Sequence, residues 1–189
     1  MTTERAYHHG DLRRAVLTAA LDVIAADGPE ALSLRDLARR AGVSHAAPAH
    51  HFKDRAGLLT AIATEGFCLL ATALDEAEDL RGLGVRYVRF ATAHPAHFRI
   101  MFRPELLRPD DPELLAAREG TRSRLRTAVQ GHGEDPAIGF TAAWSVAHGF
   151  ATLLLSHNLD GLLDGQDPEE AFRALAAKIF RPAGSSPTG

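Results

Sequence analysis

The sequence predicts an all-α protein of about nine helices in two domains: a three-helix helix-turn-helix unit over residues 1–54 and a helical domain over 55–182, followed by a disordered tail at 183–189. Three observations predict it. The stretch from Leu32 to Leu59 reads as two short capped helices joined by a tight turn and followed at once by a third helix. Apolar residues recur at helical spacing on both sides of that stretch. Caps and breakers punctuate the pattern at Gly28-Pro29, Gly42, Gly82-Leu83-Gly84, Asp111-Pro112, Asp135-Pro136 and Asp167-Pro168.

Arg5, Tyr7 and His8 precede the first helix, as either an arm touching DNA or a solvated tail. The first helix runs from about Gly10 to Asp27 with Leu12, Val16, Ala19, Ala20, Val23 and Ile24 on its apolar face, and it should cover the two short helices behind it. Ser33 is the expected cap of the second helix, Asp36 sits where a carboxylate favours the positive helix end, and Leu32 can staple onto Leu37. Gly42 supplies a left-handed stop, Val43 turns inward and Ser44 caps a third helix over His45 to His51. Counted from Ser44, Pro48 is the fourth residue, early enough to be tolerated. A turn as tight as Ala41-Gly42-Val43-Ser44 marks a DNA-reading helix-turn-helix rather than an ordinary helical hairpin. The surface offered to a major groove is His45, Ala46, Ala47 and His50, a thin readout without a bidentate arginine–guanine pair. Adjacent residues on a helix point about 100° apart, so His50 and His51 make poor metal co-ligands.

These residues resemble a known family. HHGDLRRAVLTAALDVIAADG, then LSLRDLARRAGVS, then His51-Phe52 with Lys53-Asp54-Arg55 and Leu58-Leu59 behind it, is similar to the N-terminal domain of the tetracycline-repressor (TetR) family of bacterial transcription regulators. The resemblance implies that Ser33, Ser44, His45, Ala46, Ala47 and His50 face DNA, that His51 and Arg55 contact phosphates, and that Phe52 plugs the core. It also singles out Ala49, where most relatives carry a tyrosine whose hydroxyl reaches a phosphate, so weaker DNA binding is expected.

Asp54 caps the fourth helix, which runs to about Asp79 and is the natural lever between the two domains. Cys68 within it reads as a buried small apolar residue, and a single cysteine rules out an internal disulfide. Further helices follow over Val85 to Ala93, Ala96 to Arg103 and Pro112 to about Gln130. Arg118, Arg122 and Arg126 repeat on one face of the last of these, as a solvated stripe or as an anchor for an anionic ligand. His94-Pro95-Ala96-His97 has ligand-like spacing, but the proline breaks the face, and a structural role is expected. A long apolar helix from Asp135 to about Asn158 carries Trp144-Ser-Val-Ala-His148-Gly149, which resembles the Trp-His-Gly signature of one TetR C-terminal class. Asp167-Pro168 starts a final helix to Arg181.

By this resemblance the C-terminal domain binds a ligand and dimerises. A small apolar or amphipathic molecule is expected among Phe67, Leu70, Tyr87, Phe90, Phe98, Met101, Phe102, Trp144 and His148. The last two helices are expected to build a four-helix bundle with a second copy through Ser145, Gly149, Thr152, Phe172, Leu175 and Ile179, the alternative being a wholly intramolecular core. The partners are then an operator in double-stranded DNA, the ligand and a second subunit, without a cofactor or metal. Ligand binding would tilt the fourth helix and spread the two reading heads. The other reading of the same fold is a sensor with weak or lost DNA binding.

Bulk composition agrees. The 189 residues, 46% hydrophobic, can bury a small domain and a larger one. Through Thr60 there are eight Arg and Lys against seven Asp and Glu, and the remainder carries thirteen against seventeen, a slight asymmetry that agrees in sign with a DNA-facing front and an acidic body, so affinity is expected from placed cations and helix N-termini and not from a broad basic field. There is no run of 18 apolar residues and the start MTTERAYHHG has no apolar signal core, from which a soluble cytoplasmic protein without a membrane partner is expected. No serine elbow, HExxH or phosphate loop is present to support an enzyme.

Overall fold

The computed structural model describes residues 3–129 and 135–180; the side chains of residues 3–11, 129 and 136 lie outside the description, as does the tail expected from Ala183. Among the described residues the chain is all helical, with ten α-helices and two 3-10 turns. It divides into two compact units, residues 1–67 with 96–116 and residues 68–95 with 117–189. Beyond residues 1–54, the first unit takes in the start of the fourth helix and the sixth from Ala96 onward.

In the first unit, α1 (Thr3–Asp27), α2 (Leu34–Arg40) and α3 (Ala47–Phe52) pack on one another. Their core is Val16, Ala20, Val23 and Ile24 of α1 with Leu37 and Ala38 of α2 and Phe52 of α3, all buried. Helix α1 begins at Thr3 rather than near Gly10, so the backbone of the expected arm is helical; the side chains of Arg5, Tyr7 and His8 lie outside the description. Behind these helices stand the first residues of α4 (Arg55–Asp75), α6 (Pro95–Met101) and the first turn of α7 (Pro112–Val129). Leu58, Leu59, Ile62, Ile100 and Met101 are fully buried there. Phe67, Phe98 and Phe102 form an edge-to-face cluster at ring distances of 5.7 and 5.2 Å, and a side chain on Gly66 would collide with the Met101 sulfur. His97 is also buried in this unit, with Nε2 3.8 Å from the Glu65 carboxylate, so the second histidine of the His-Pro-Ala-His segment is packed.

In the second unit, α5 (Leu80–Ala93) packs against α8 (Pro136–Leu155) and α10 (Pro168–Ile179), with the short α9 (Asp160–Leu163) between the last two. Asp79, Asp135 and Asp167 cap α5, α8 and α10 with side-chain acceptors, as their positions ahead of each helix foretold for the last two. Glycine at position 84 lets the Phe172 ring lie against α5, where an added Cβ would meet it at 2.4 Å, and Phe150 meets the same ring edge-to-face at 5.2 Å. Phe172 is consequently core. Its assignment to a subunit interface is corrected by this intramolecular contact, since the ring is 2% exposed. Cys68 is exposed on α4, against the expectation of burial.

Candidate nucleic-acid interface

The reading head is set by the chemistry of two helix ends. Helix α2 stops in a Schellman motif: Gly42 is left-handed at φ 65°, its N–H reaches the Arg39 carbonyl, and the Val43 N–H donates to the Ala38 carbonyl at 3.0 Å. Ser33 occupies the N-cap position of α2, but its hydroxyl makes no capping bond and remains at the surface. Helix α3 starts later than the caps suggest. Ser44 to Ala46 form a turn, Ala46 is the N-cap, and Pro48 stands in the first turn where its missing donor costs nothing. Ser44 is thus an exposed turn residue instead of the cap, because the chain uses Pro48 to begin the helix.

Of the residues expected to face DNA, His45, Ala46 and His50 are exposed, Ala47 is half-buried, and Ala49 joins them at the surface. His51 is half-buried; its ring lies 5.5 Å from that of His50 at 70°. The exposed surface of α3 is therefore imidazole and methyl groups, able to donate or accept at a base edge and to meet a thymine methyl. Asp36 draws Arg39 (2.7 Å) and Arg40 (2.6 Å) into ion pairs, and the Arg40 hydrogen bond, then that of Arg39, holds its carboxyl below the usual carboxylate range.

Phe52 closes the head from inside, 4% exposed, with the Arg13 guanidinium 5.5 Å above its ring. Arg55, expected on a phosphate, donates to the Pro29 carbonyl at 2.6 Å and so ties α4 to the α1–α2 connection. Asp54 does cap α4: its carboxylate accepts from the Gly57 N–H at 2.9 Å and pairs with Arg108 at 2.8 Å. The Arg108 backbone N–H in turn donates to the Thr60 hydroxyl at 3.0 Å. No sequence pattern signalled Arg108 or Thr60, because partners this far apart in the chain leave no local spacing.

The residues expected around a ligand fall into two groups. Phe67, Phe98, Met101 and Phe102 belong to the packed interior of the first unit. Leu70, Tyr87, Phe90, Trp144 and His148 belong to the second. There the Trp144 indole N–H points at the Tyr87 hydroxyl at 3.4 Å, and the Tyr87 hydroxyl lies 2.9 Å from His148 Nδ1. With the indole donating, the tyrosine proton goes to Nδ1, which assigns the Nε2–H tautomer to His148. Desolvation pushes the Tyr87 hydroxyl well up and the His148 imidazole down, keeping both neutral. Beside them a slot of about 20 Å³ is lined by Leu83, Gly84, Leu125, Ala147 and Phe172. Arg118 is half-buried, held down by desolvation and then by Arg122, whereas Arg122 and Arg126 are at the surface.

Residues 16–62 match the family of bacterial regulatory proteins called tetR, and residues 80–179 match the tetracyclin repressor-like C-terminal domain. No curated protein matches the sequence. Among solved structures, a protein of unknown function from Rhodococcus sp. RHA1 is 34% identical with a TM-score of 0.76, covering 93% of this chain and 96% of that one. A tetR-family regulatory protein from Rhodococcus RHA1 is 21% identical, TM-score 0.74, over 93% and 98% of the two chains. NalD, the secondary repressor of the MexAB-OprM multidrug efflux pump in Pseudomonas aeruginosa, is 21% identical, TM-score 0.66, over 90% and 95%. At these last two identities the likeness is one of fold.

Proposed function

This chain belongs to the TetR family of bacterial regulatory proteins, and from that premise we propose that it is a ligand-responsive repressor that binds a near-palindromic operator as a dimer and is released by a small molecule. The observation that carries the reading is the exposed surface of His45 and Ala46 in the turn and of Ala49 and His50 on α3, on a head with its Gly42 stop and its Phe52 plug. A dimer puts two such surfaces into successive major grooves; helix N-termini and cations fix register on the phosphates, and few base contacts leave much of the specificity to DNA shape.

Helix α8 supports the dimer. Residues 137–155 have a mean hydropathy of 1.4 yet are only 17% buried, a span that length and composition alone would allow to cross a membrane. Ile138 and Leu153 are 68% and 45% exposed on it, and Ser145, Gly149 and Thr152 leave a shallow stripe with open space above Gly149. Ile179 of α10 is exposed as well, and Leu175 half-buried. A second copy covering this surface removes the apolar exposure.

The effector enters the second unit beside Tyr87, Trp144 and His148. The slot there holds little more than one water, so binding requires the aromatic lining to part. The molecule suited to it has an apolar body and one polar group able to exchange hydrogen bonds with a neutral imidazole and a phenol. To switch repression it must bind the DNA-free state roughly 10- to 100-fold better.

Selection of bound duplexes from a random pool at fixed salt tests the reading: enrichment of a near-palindrome supports it, and no enrichment over competitor sinks it. A second reading, a sensor that binds DNA weakly, is favoured by Ala49, whose methyl is exposed on α3 where a hydroxyl would reach outward. Ala49→Tyr separates the two. One added hydrogen bond to a phosphate, ~1 kcal/mol, should tighten operator binding about fivefold in a filter-binding titration, and unchanged affinity shows that position 49 does not face the backbone.

A further inference from the structure

The connection between α1 and α2 is held by cations that neither helix supplies. Helix α1 ends at Asp27 with no basic residue in its last turn, and the chain leaves it through left-handed Gly28 at φ 82°. Its terminal carbonyls therefore carry partial negative charge without a cation of their own. Arg99 of α6 supplies one, donating from Nη1 to the Ile24 carbonyl at 2.8 Å. Arg103, just past α6, donates from Nη1 to the Glu30 carboxylate at 2.9 Å while its Nε is steadied by Glu105 at 2.8 Å. With Arg55 on the Pro29 carbonyl, three guanidiniums from distant parts of the sequence close on the short run from Ile24 to Glu30. All of them lie within the first unit.

We infer that Arg99 and Arg103 are positioning residues for operator reading: by pinning the α1–α2 connection to α6 they fix the angle at which the reading head presents α3, and so the half-site spacing that a dimer accepts. The physical argument is one of hinges. Gly28 has the greatest backbone freedom in the connection, and because α1, α2 and α3 pack as one body, gripping that connection ties the whole head to α6. A planar guanidinium donating to a helix-end carbonyl removes that freedom without covering any surface that DNA must reach. The inference rests on the dimeric operator-binding reading.

The test uses the duplex that the full-length wild-type protein selects from a random pool, together with versions carrying one or two base pairs inserted between the half-sites. Wild type should lose affinity by about tenfold or more on insertion, since two rigid heads match only one spacing. Arg99→Met with Arg103→Gln should flatten that discrimination to roughly threefold or less while retaining non-specific binding. Arg99→Lys, which keeps a donor for the Ile24 carbonyl, should restore most of it. Glu30→Gln removes the Arg103 partner at an exposed site, so it should fold as wild type and give a partial flattening. It decides the matter if the double variant fails to fold. Discrimination that stays intact in these variants overturns the inference, whatever happens to the melting temperature. A wild-type protein that enriches no duplex overturns the regulator reading first, and this inference with it, before any variant is made.

Discussion

At the scale of single residues, the Phe52 carbonyl is approached from two sides. The Asp54 N–H reaches back to it at 2.9 Å across Lys53, whose φ of 68° and ψ of −59° are those of a γ-turn that an L side chain enters only with strain. The same carbonyl lies 2.0 Å from where a Cβ on Gly57 would stand. Two opposite outcomes are expected. Lys53→Gly should stabilise the protein by about 1 kcal/mol, because the lost strain exceeds the entropy that glycine adds to the unfolded chain. Gly57→Ala should destabilise it by roughly 1–3 kcal/mol despite alanine's better helix propensity, because the obstructing atom is backbone and cannot swing away. Denaturant midpoints measure both; a Lys53→Gly protein no more stable than wild type would show that the γ-turn is unstrained.

At the scale of helices, the parts of the sequence governed by local chemistry were legible and those governed by distant partners were not. The Gly42 stop, the Asp54 cap and the apolar faces of α1 and α2 follow from a few adjacent residues, and the structure has them. The start of α3 was misplaced because both Ser44 and Pro48 signal a helix beginning, and only packing selects between them. Phe172 carries the same apolar signal whether it faces a second subunit or α5, so its burial could not be read without Gly84 opposite it. The α5–α8 contact shows how such a pairing acts. His148 is half-buried and accepts from Tyr87, and desolvation lowers its affinity for a proton below that of an ordinary imidazole near 6.5. The unfolded chain thus takes up this proton first on acidification. The sign follows: above about pH 6.5 the residue contributes no pH dependence, and below it stability falls until the lowered folded value is reached. His148→Asn keeps an acceptor near Nδ1 and removes the titration. The melting temperatures of the two proteins should run in parallel from pH 8 to about pH 7 and then diverge, wild type dropping faster. Parallel curves down to pH 5 would show that His148 is not kept neutral by the fold.

At the scale of the molecule, the two apolar signals in the second unit were indistinguishable in sequence and separate cleanly by exposure. The buried one, with Leu83, Tyr87, Ala147, Ala151 and Phe172, holds α5, α8 and α10 together. The exposed one, with Ile138 and Leu153 beside the Ser145-Gly149-Thr152 stripe of α8 and Ile179 on α10, stays uncovered in a single chain and is the surface the proposed dimer would bury. The proposed operator-binding dimer would depend on that surface energetically, since joining two heads of thin base readout gains by the effective concentration of the second. Leu153→Glu examines this directly. Placing a carboxylate in a closed apolar interface costs several kcal/mol, enough to raise the dimer dissociation constant a hundredfold or more. Its effect on the fold should be small, as the side chain is 45% exposed within one chain. Light scattering at micromolar concentration should then report the monomer mass for Leu153→Glu and twice that mass for wild type, and affinity for a two-half-site duplex should drop toward that for a single half-site. A variant that remains a full dimer would move the interface off α8, and a wild-type protein that is monomeric at every concentration would leave palindrome recognition without a physical basis.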